Sequence, residues 1–159
     1  MVGLIFLSRP LIVFVFGIEY AASVRTLQLI SPIILFAGIT NVLGIQILYP
    51  KGKEKLVIYS TLGAASVNLA LNMVFIPFYS FNGAAVATCV AEFIVLILQL
   101  LLGKKYLPKH LFTNKMIDYF IASLLMGISL YILLLIKMSL WLQLVSSVCI
   151  GISVYSSFL

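Results

Sequence analysis

Charge is scarce in this sequence, and acid is scarcer than base. Only 9% of the 159 residues are charged, ten Lys or Arg and four Asp or Glu, where average chains carry about 25%. The acids Glu19, Glu54, Glu92 and Asp118 stand far apart. Metal-assisted or acid–base catalysis needs clustered acids, or a base beside a nucleophile. Only Glu92 lies deep in an apolar stretch, so no such centre is evident and an enzyme is not expected. Cysteine and histidine are nearly missing. Cys89 and Cys149 fall within apolar stretches, where they behave as small hydrophobes, and His110 stands alone. Without a C-x-x-C pair or a Cys/His cluster, zinc and haem are excluded, and no metal or other cofactor is expected. A cleavable leader is not expected either. The first basic residue, Arg9, interrupts the first apolar stretch instead of preceding it.

What is abundant is apolar surface: 64% of the residues are hydrophobic and the mean hydropathy is +1.24. A soluble domain of this length could not hide so much of it, so the solvent for most of the chain is lipid. The expected fold is all-α, a polytopic transmembrane helix bundle of about five spans. The net charge of +6 does not mark a nucleic-acid partner. Its distribution shows why: Lys51, Lys53 and Lys55 share one turn, and Lys104, Lys105, Lys109 and Lys115 another. Basic residues gathered in alternate loops orient a membrane protein with those loops in the cytoplasm.

Residues 2–18 are apolar except for Ser8-Arg9-Pro10. Proline biases Arg9 away from helix, and an unpaired arginine at mid-depth would cost about 2.5–3.5 kcal/mol. This segment reads either as the end of a longer span or as a helix whose Arg9 snorkels to the interface. A polar connection, 19–26, leads to the first full span, 27–49, whose 23 residues cover roughly 34 Å. Pro32 sits near its start, and Gly38, Asn41, Gly44 and Gln46 are the small or polar positions expected to face other helices. The turn 50–55 contains Pro50-Lys51-Gly52, a helix breaker. Span 56–76 runs outward, and the uncharged, aromatic turn 77–82 suits an external interface. Span 83–102 returns to the basic loop 103–116. Spans 117–136 and 139–159 follow, joined by Lys137-Met138, with Tyr131, Trp141 and Tyr155 as possible interfacial anchors. Residues 1 and 159 are then both expected in the cytoplasm.

The chemistry concentrates in residues 46–92 and just beyond. Thr61, Ala65, Asn68 and Asn72 recur at steps of four, three and four, which places them on one helical face. Thr88, Glu92 and Gln99 share a face of the next span, and Gly83, Ala87 and Ala91 form a small-xxx-small stripe for close packing. Glu92 is either a proton or ion relay, or a neutral acid hydrogen-bonded to Asn68, Asn72 or a backbone carbonyl so as to join two helices. A relay is the usual role of an intramembrane carboxylate, but for Glu92 the helix-joining role is read first. Asn68 and Asn72 are likewise read first as interhelical hydrogen-bonding groups.

Three stretches in order carry a resemblance: NVLGIQILYPKGKEKL at 41–56, NLALN at 68–72, and IPFYSFNGAAVAT at 76–88 followed by Glu92. Over roughly residues 10–103 the chain resembles the C-terminal half of bacterial polysaccharide exporters of the O-antigen flippase (Wzx) type. These belong to the multidrug/oligosaccharidyl-lipid/polysaccharide exporter superfamily. The resemblance implies part of a two-lobed carrier of the bacterial inner membrane. Such a carrier moves an undecaprenyl-type lipid-linked oligosaccharide outward by alternating access. It divides the chain into a partial exporter lobe, 1–103, and a basic loop with a C-terminal helix pair, 104–159. It also implies that the N-terminal lobe and the start of this one lie outside the sequence, as in a truncated reading frame, so the isolated chain is not expected to export. The expected partners are that lobe or other polysaccharide-assembly proteins, the lipid-linked cargo and membrane lipid. Candidates for the substrate path or for helix packing are Glu92, Asn68, Asn72, Thr88, Gln99, Asn41 and Gln46. A small structural or accessory membrane subunit of polysaccharide biosynthesis is the alternative that explains the short length, and a membrane-embedded glycan polymerase or transferase of the same pathway, which would need clustered acids, is the other.

Overall fold

The computed structural model describes residues 1–107, 115–135 and 140–156. Among them every regular element is helical, and no strand forms. Two helical stretches, Ser23–Lys51 and Glu54–Tyr106, are long and apolar enough to cross a membrane by length and composition. The others are shorter. The chain segregates into two compact units, Met1–Gln28 with Phe112–Leu159, and Leu29–Leu111. This partition groups the N-terminal helix with the C-terminal pair, whereas the division at residue 103 separates them.

In the first unit, α1 (Val2–Phe16) packs on α5 (Lys115–Leu135) and α6 (Leu140–Ser156). Small residues let the backbones approach: a Cβ on Gly127 would meet Val2 at 2.9 Å, and one on Gly151 would meet Met126 at 3.3 Å. Phe6 and Tyr131 close the α1–α5 seam edge-to-face at 6.3 Å. The bias that Pro10 puts on Arg9 does not interrupt the helix, and α1 runs through both residues. Local hydroxyl and amide groups support that stretch. Ser8 Oγ donates to Ile5 O at 2.9 Å, and Gln28 Nε2 donates to Ser8 Oγ at 3.0 Å. Arg9 itself is exposed. The connection Lys137-Met138, residues 108–114 of the basic loop, and the side chains of Trp141 and Tyr155 lie outside the described residues.

The second unit is built on α3 (Ile33–Asn41), a π-helix (Val42–Leu48) and α4 (Glu54–Gly103). The segment expected as one α-helix over 27–49 is divided. Pro32 lacks an amide hydrogen, so α2 (Ser23–Ile30) stops before it and α3 starts after it. From Val42 the ladder widens to i→i+5 spacing. Leu43, Gly44 and Leu48 turn inward, while Gly38, Asn41 and Gln46 stay exposed. Of the four positions expected to face other helices, Gly44 alone is buried. A 3-10 turn (Tyr49–Lys51) follows the π-helix, and the stretch ends in a Schellman motif, with Gly52 left-handed at φ 65° and Lys53 N donating to Leu48 O at 3.0 Å.

The long helix α4 is interrupted. Ser80, at φ 50° and ψ −131°, is not helical and divides it into arms 54–79 and 81–103. The arms lie side by side, since a Cβ on Gly63 would touch Leu98 at 3.5 Å. At the bend Gly83 presses on Phe75, where a Cβ would sit 2.5 Å from the Phe75 carbonyl oxygen. No residue but glycine fits there without moving backbone. The expected turn at 77–82 is therefore a sharp bend centred on Ser80 between two closely packed arms.

Candidate functional site

The second arm of α4 buries Gly83, Ala87, Ala91, Gln99 and Gly103, each a multiple of four residues from the last. In an α-helix such a row drifts around the axis by about 40° per step, so one stripe serves two neighbours. Its start meets the first arm at Phe75, and its end meets the π-helix, with Gly103 against Leu48 and Gln99 against Gly44. The ring of Phe93 meets that of Phe36 of α3 at 5.3 Å between the two, the planes tilted by 54°. The small-residue face is thus packed as its spacing implies.

The polar candidates sit at the edge of that packing. Asn72 Nδ2 donates to Asn68 Oδ1 at 3.0 Å, one turn away on the same arm. Both are half-buried, beside a packed face made by Ser60 and Ala64. Counting inward from the Gly63–Leu98 and Phe75–Gly83 contacts places Asn68 and Glu92 at a similar level on the two arms. Glu92 is half-buried and makes no hydrogen bond or ion pair among the described residues. The expected bond from Glu92 to Asn68, Asn72 or a backbone carbonyl is not formed among the described residues, and the single bond between the two amides leaves Asn72 Oδ1 without a partner. Thr88 Oγ1 donates to Ala84 O at 2.8 Å, and Thr61 Oγ1 to Val57 O at 2.9 Å, so both hydroxyls bond back to the preceding turn of their own helix. Thr61 and Ala65 are exposed, which leaves Asn68 and Asn72 as the half-buried part of their predicted face.

Gln99 behaves differently from its predicted companions Thr88 and Glu92. It is 2% exposed, and its Oε1 is buried without a hydrogen-bond partner. The Asn72 Oδ1 atom is in the same condition. A buried carbonyl left unpaired costs about 1–3 kcal/mol. Gln99 lies against Gly44 within the π-helix, a type of helical irregularity frequent at functional sites. The sequence marks Gln99 as polar, but VLGIQIL gives no warning of the π-helix. The buried hydroxyls Ser60, Ser31 and Ser8 were also not legible as interior groups.

At the other end of the arms the two basic turns meet. Lys51 Nζ donates to the Tyr106 carbonyl oxygen, and Lys53 Nζ lies 5.0 Å from the Tyr106 ring centre. In the first unit a cavity of about 380 Å³ lies between α1 and α5, lined by apolar groups including Val2, Phe6, Leu124 and Ile128. No group of three or more His, Cys, Asp or Glu residues gathers among the described residues. Comparisons with protein-family models, with curated proteins and with solved structures find no match to this chain.

Proposed function

We propose that the chain is a multi-pass segment of a bacterial inner-membrane carrier of the O-antigen flippase type, which translocates lipid-linked oligosaccharide outward by alternating access. The observation that carries this reading is the α4 hairpin. Two apolar arms, tightly packed through small residues, hold the amide of Asn68 and the carboxylate of Glu92 at a similar level, with the amide of Asn72 one turn away, all three half-buried. Amides suit sugar hydroxyls because each offers both a donor and an acceptor. An intramembrane carboxylate without a partner is a group available for proton or ion coupling. Exposed Asn41 and Gln46 on the neighbouring helix would extend the polar path toward the rest of the carrier. The sequence resemblance over 10–103 points the same way, and the basic turns set those ends of the spans in the cytoplasm. The partners on this reading are the other lobe, other polysaccharide-assembly proteins and membrane lipid, with no nucleic acid and no enzymatic step.

Photocrosslinking tests it directly. The purified chain in lipid nanodiscs is exposed to an undecaprenyl-pyrophosphate oligosaccharide carrying a photoreactive sugar, and to a photoreactive phospholipid as reference. The sugar probe should label peptides containing Asn68, Asn72 and Glu92 in excess over the phospholipid probe. Equal labelling by both probes would remove the case for a sugar path.

A further inference from the structure

The end of the hairpin remote from Ser80 gathers lysines from two distant stretches. Lys51 and Lys53 come from the turn before α4, Lys55 from its first turn, and Lys104 and Lys105 from the 3-10 turn after it. Glu54 is the one acid in either stretch. Tyr106 joins them: its carbonyl oxygen accepts from Lys51, and its ring faces the ammonium of Lys53 at 5.0 Å. Lys51, Lys55, Lys104 and Lys105 are exposed. A like-charge cluster of this density repels itself unless an anion neutralises it.

The surface around the cluster says which kind of anion. Tyr49, Ile58, Tyr59, Leu101 and Leu102, all within a few residues of the lysines, are exposed apolar side chains. Leu101 and Tyr59 are 66% and 63% exposed. A free phosphate or a soluble anion would leave them bare. A molecule with an anionic head and acyl tails covers both surfaces at once. Basic pockets between helices at the cytoplasmic face bind acidic headgroups by this pairing of charge with apolar flank.

We propose that this end of the second unit is a binding site for an anionic phospholipid. Lys51, Lys104 and Lys105 meet the headgroup phosphate, Tyr106 fixes Lys51 and Lys53 in place, and the acyl chains run along Tyr59, Leu101 and Leu102. The proposal rests on the membrane placement given above and is independent of the cargo.

Native mass spectrometry of the purified chain in neutral detergent, with phosphatidylglycerol and phosphatidylcholine of identical chains, tests it. Phosphatidylglycerol should bind at least about tenfold more tightly, and salt should erase the difference, as expected where each lysine near a lipid surface contributes about fivefold. The combined Lys51→Gln, Lys53→Gln, Lys104→Gln and Lys105→Gln variant should bind the two lipids alike. The matching four Lys→Arg changes and Arg25→Gln, which lies outside the cluster, should keep the preference. Equal binding of the two lipids by the unaltered chain overturns the proposal whatever the variants do. So does a glutamine variant that keeps the preference, or displacement of phosphatidylglycerol by an equal concentration of inorganic phosphate. Retention of neither lipid would overturn the membrane placement as well. Failure of the sugar-labelling experiment alone would leave this site intact.

Discussion

Glu92 stands on the second arm of α4 with no hydrogen-bond or ion-pair partner among the described residues. Its lone position in an apolar span marks it from sequence, yet nothing in the spacing reveals that Asn68 and Asn72 bond each other and leave it unpaired. The consequence for stability is specific. Asn68→Ala removes the acceptor of a 3.0 Å bond and should destabilise the purified chain by about 0.5–1.5 kcal/mol. Glu92→Gln and Glu92→Ala remove no bond and should shift the thermal midpoint by much less. A loss on Glu92→Ala as large as that on Asn68→Ala would restore a helix-joining role for the carboxyl. In a full-length exporter carrying this sequence, Glu92→Gln separates function from structure. The amide keeps the shape but cannot titrate, so on the relay reading export falls while protein level holds.

At the scale of elements, the hairpin was readable and the helix before it was not. Gly83, Ala87 and Ala91 announce close packing through a four-residue rhythm, and the uncharged stretch 77–82 announces a turn. The π-helix at Val42–Leu48 escapes such reasoning because apolar residues fill both faces of that segment, so no periodicity reports its pitch. The bend yields a paired test. Gly83→Ala would place a Cβ 2.5 Å from a backbone oxygen and should cost about 1–3 kcal/mol by forcing the arms apart. Ala87→Leu should act in the same direction, since Ala87 is fully buried. Ser80→Gly should raise the melting temperature instead. Glycine adopts φ 50° without strain, where strained backbone costs about 1–3 kcal/mol. Equal melting of all three variants would mean that the arms do not pack tightly at this end.

Over the whole molecule, composition pointed to the all-helical class that the described residues adopt, since a chain this apolar must pair its backbone groups internally. Which helices group together was beyond it. The association of α1 with α5 and α6 depends on interlocking shapes at Gly127, Gly151 and Met126 that no pattern of hydropathy encodes. The topology proposed here has a direct assay. In a background lacking Cys89 and Cys149, a cysteine at Gly52 should resist a membrane-impermeant thiol reagent in intact cells, and one at Ser80 should react. The reverse pattern would turn the whole arrangement over, and the exporter reading with it.

The π-helix also makes chain length itself adjustable at one place. Inward-facing Leu43 and Leu48 are five residues apart, one more than an α-helical ladder requires, and Ile45 and Gln46 between them are exposed. Excising Ile45 would draw the inward pair to ordinary α-helical separation without rotating the helix on either side. Elsewhere in these helices a one-residue deletion turns every following side chain by about 100° and scrambles its contacts. Natural variants of this segment that differ by a single residue should therefore keep the same partners on both sides of it.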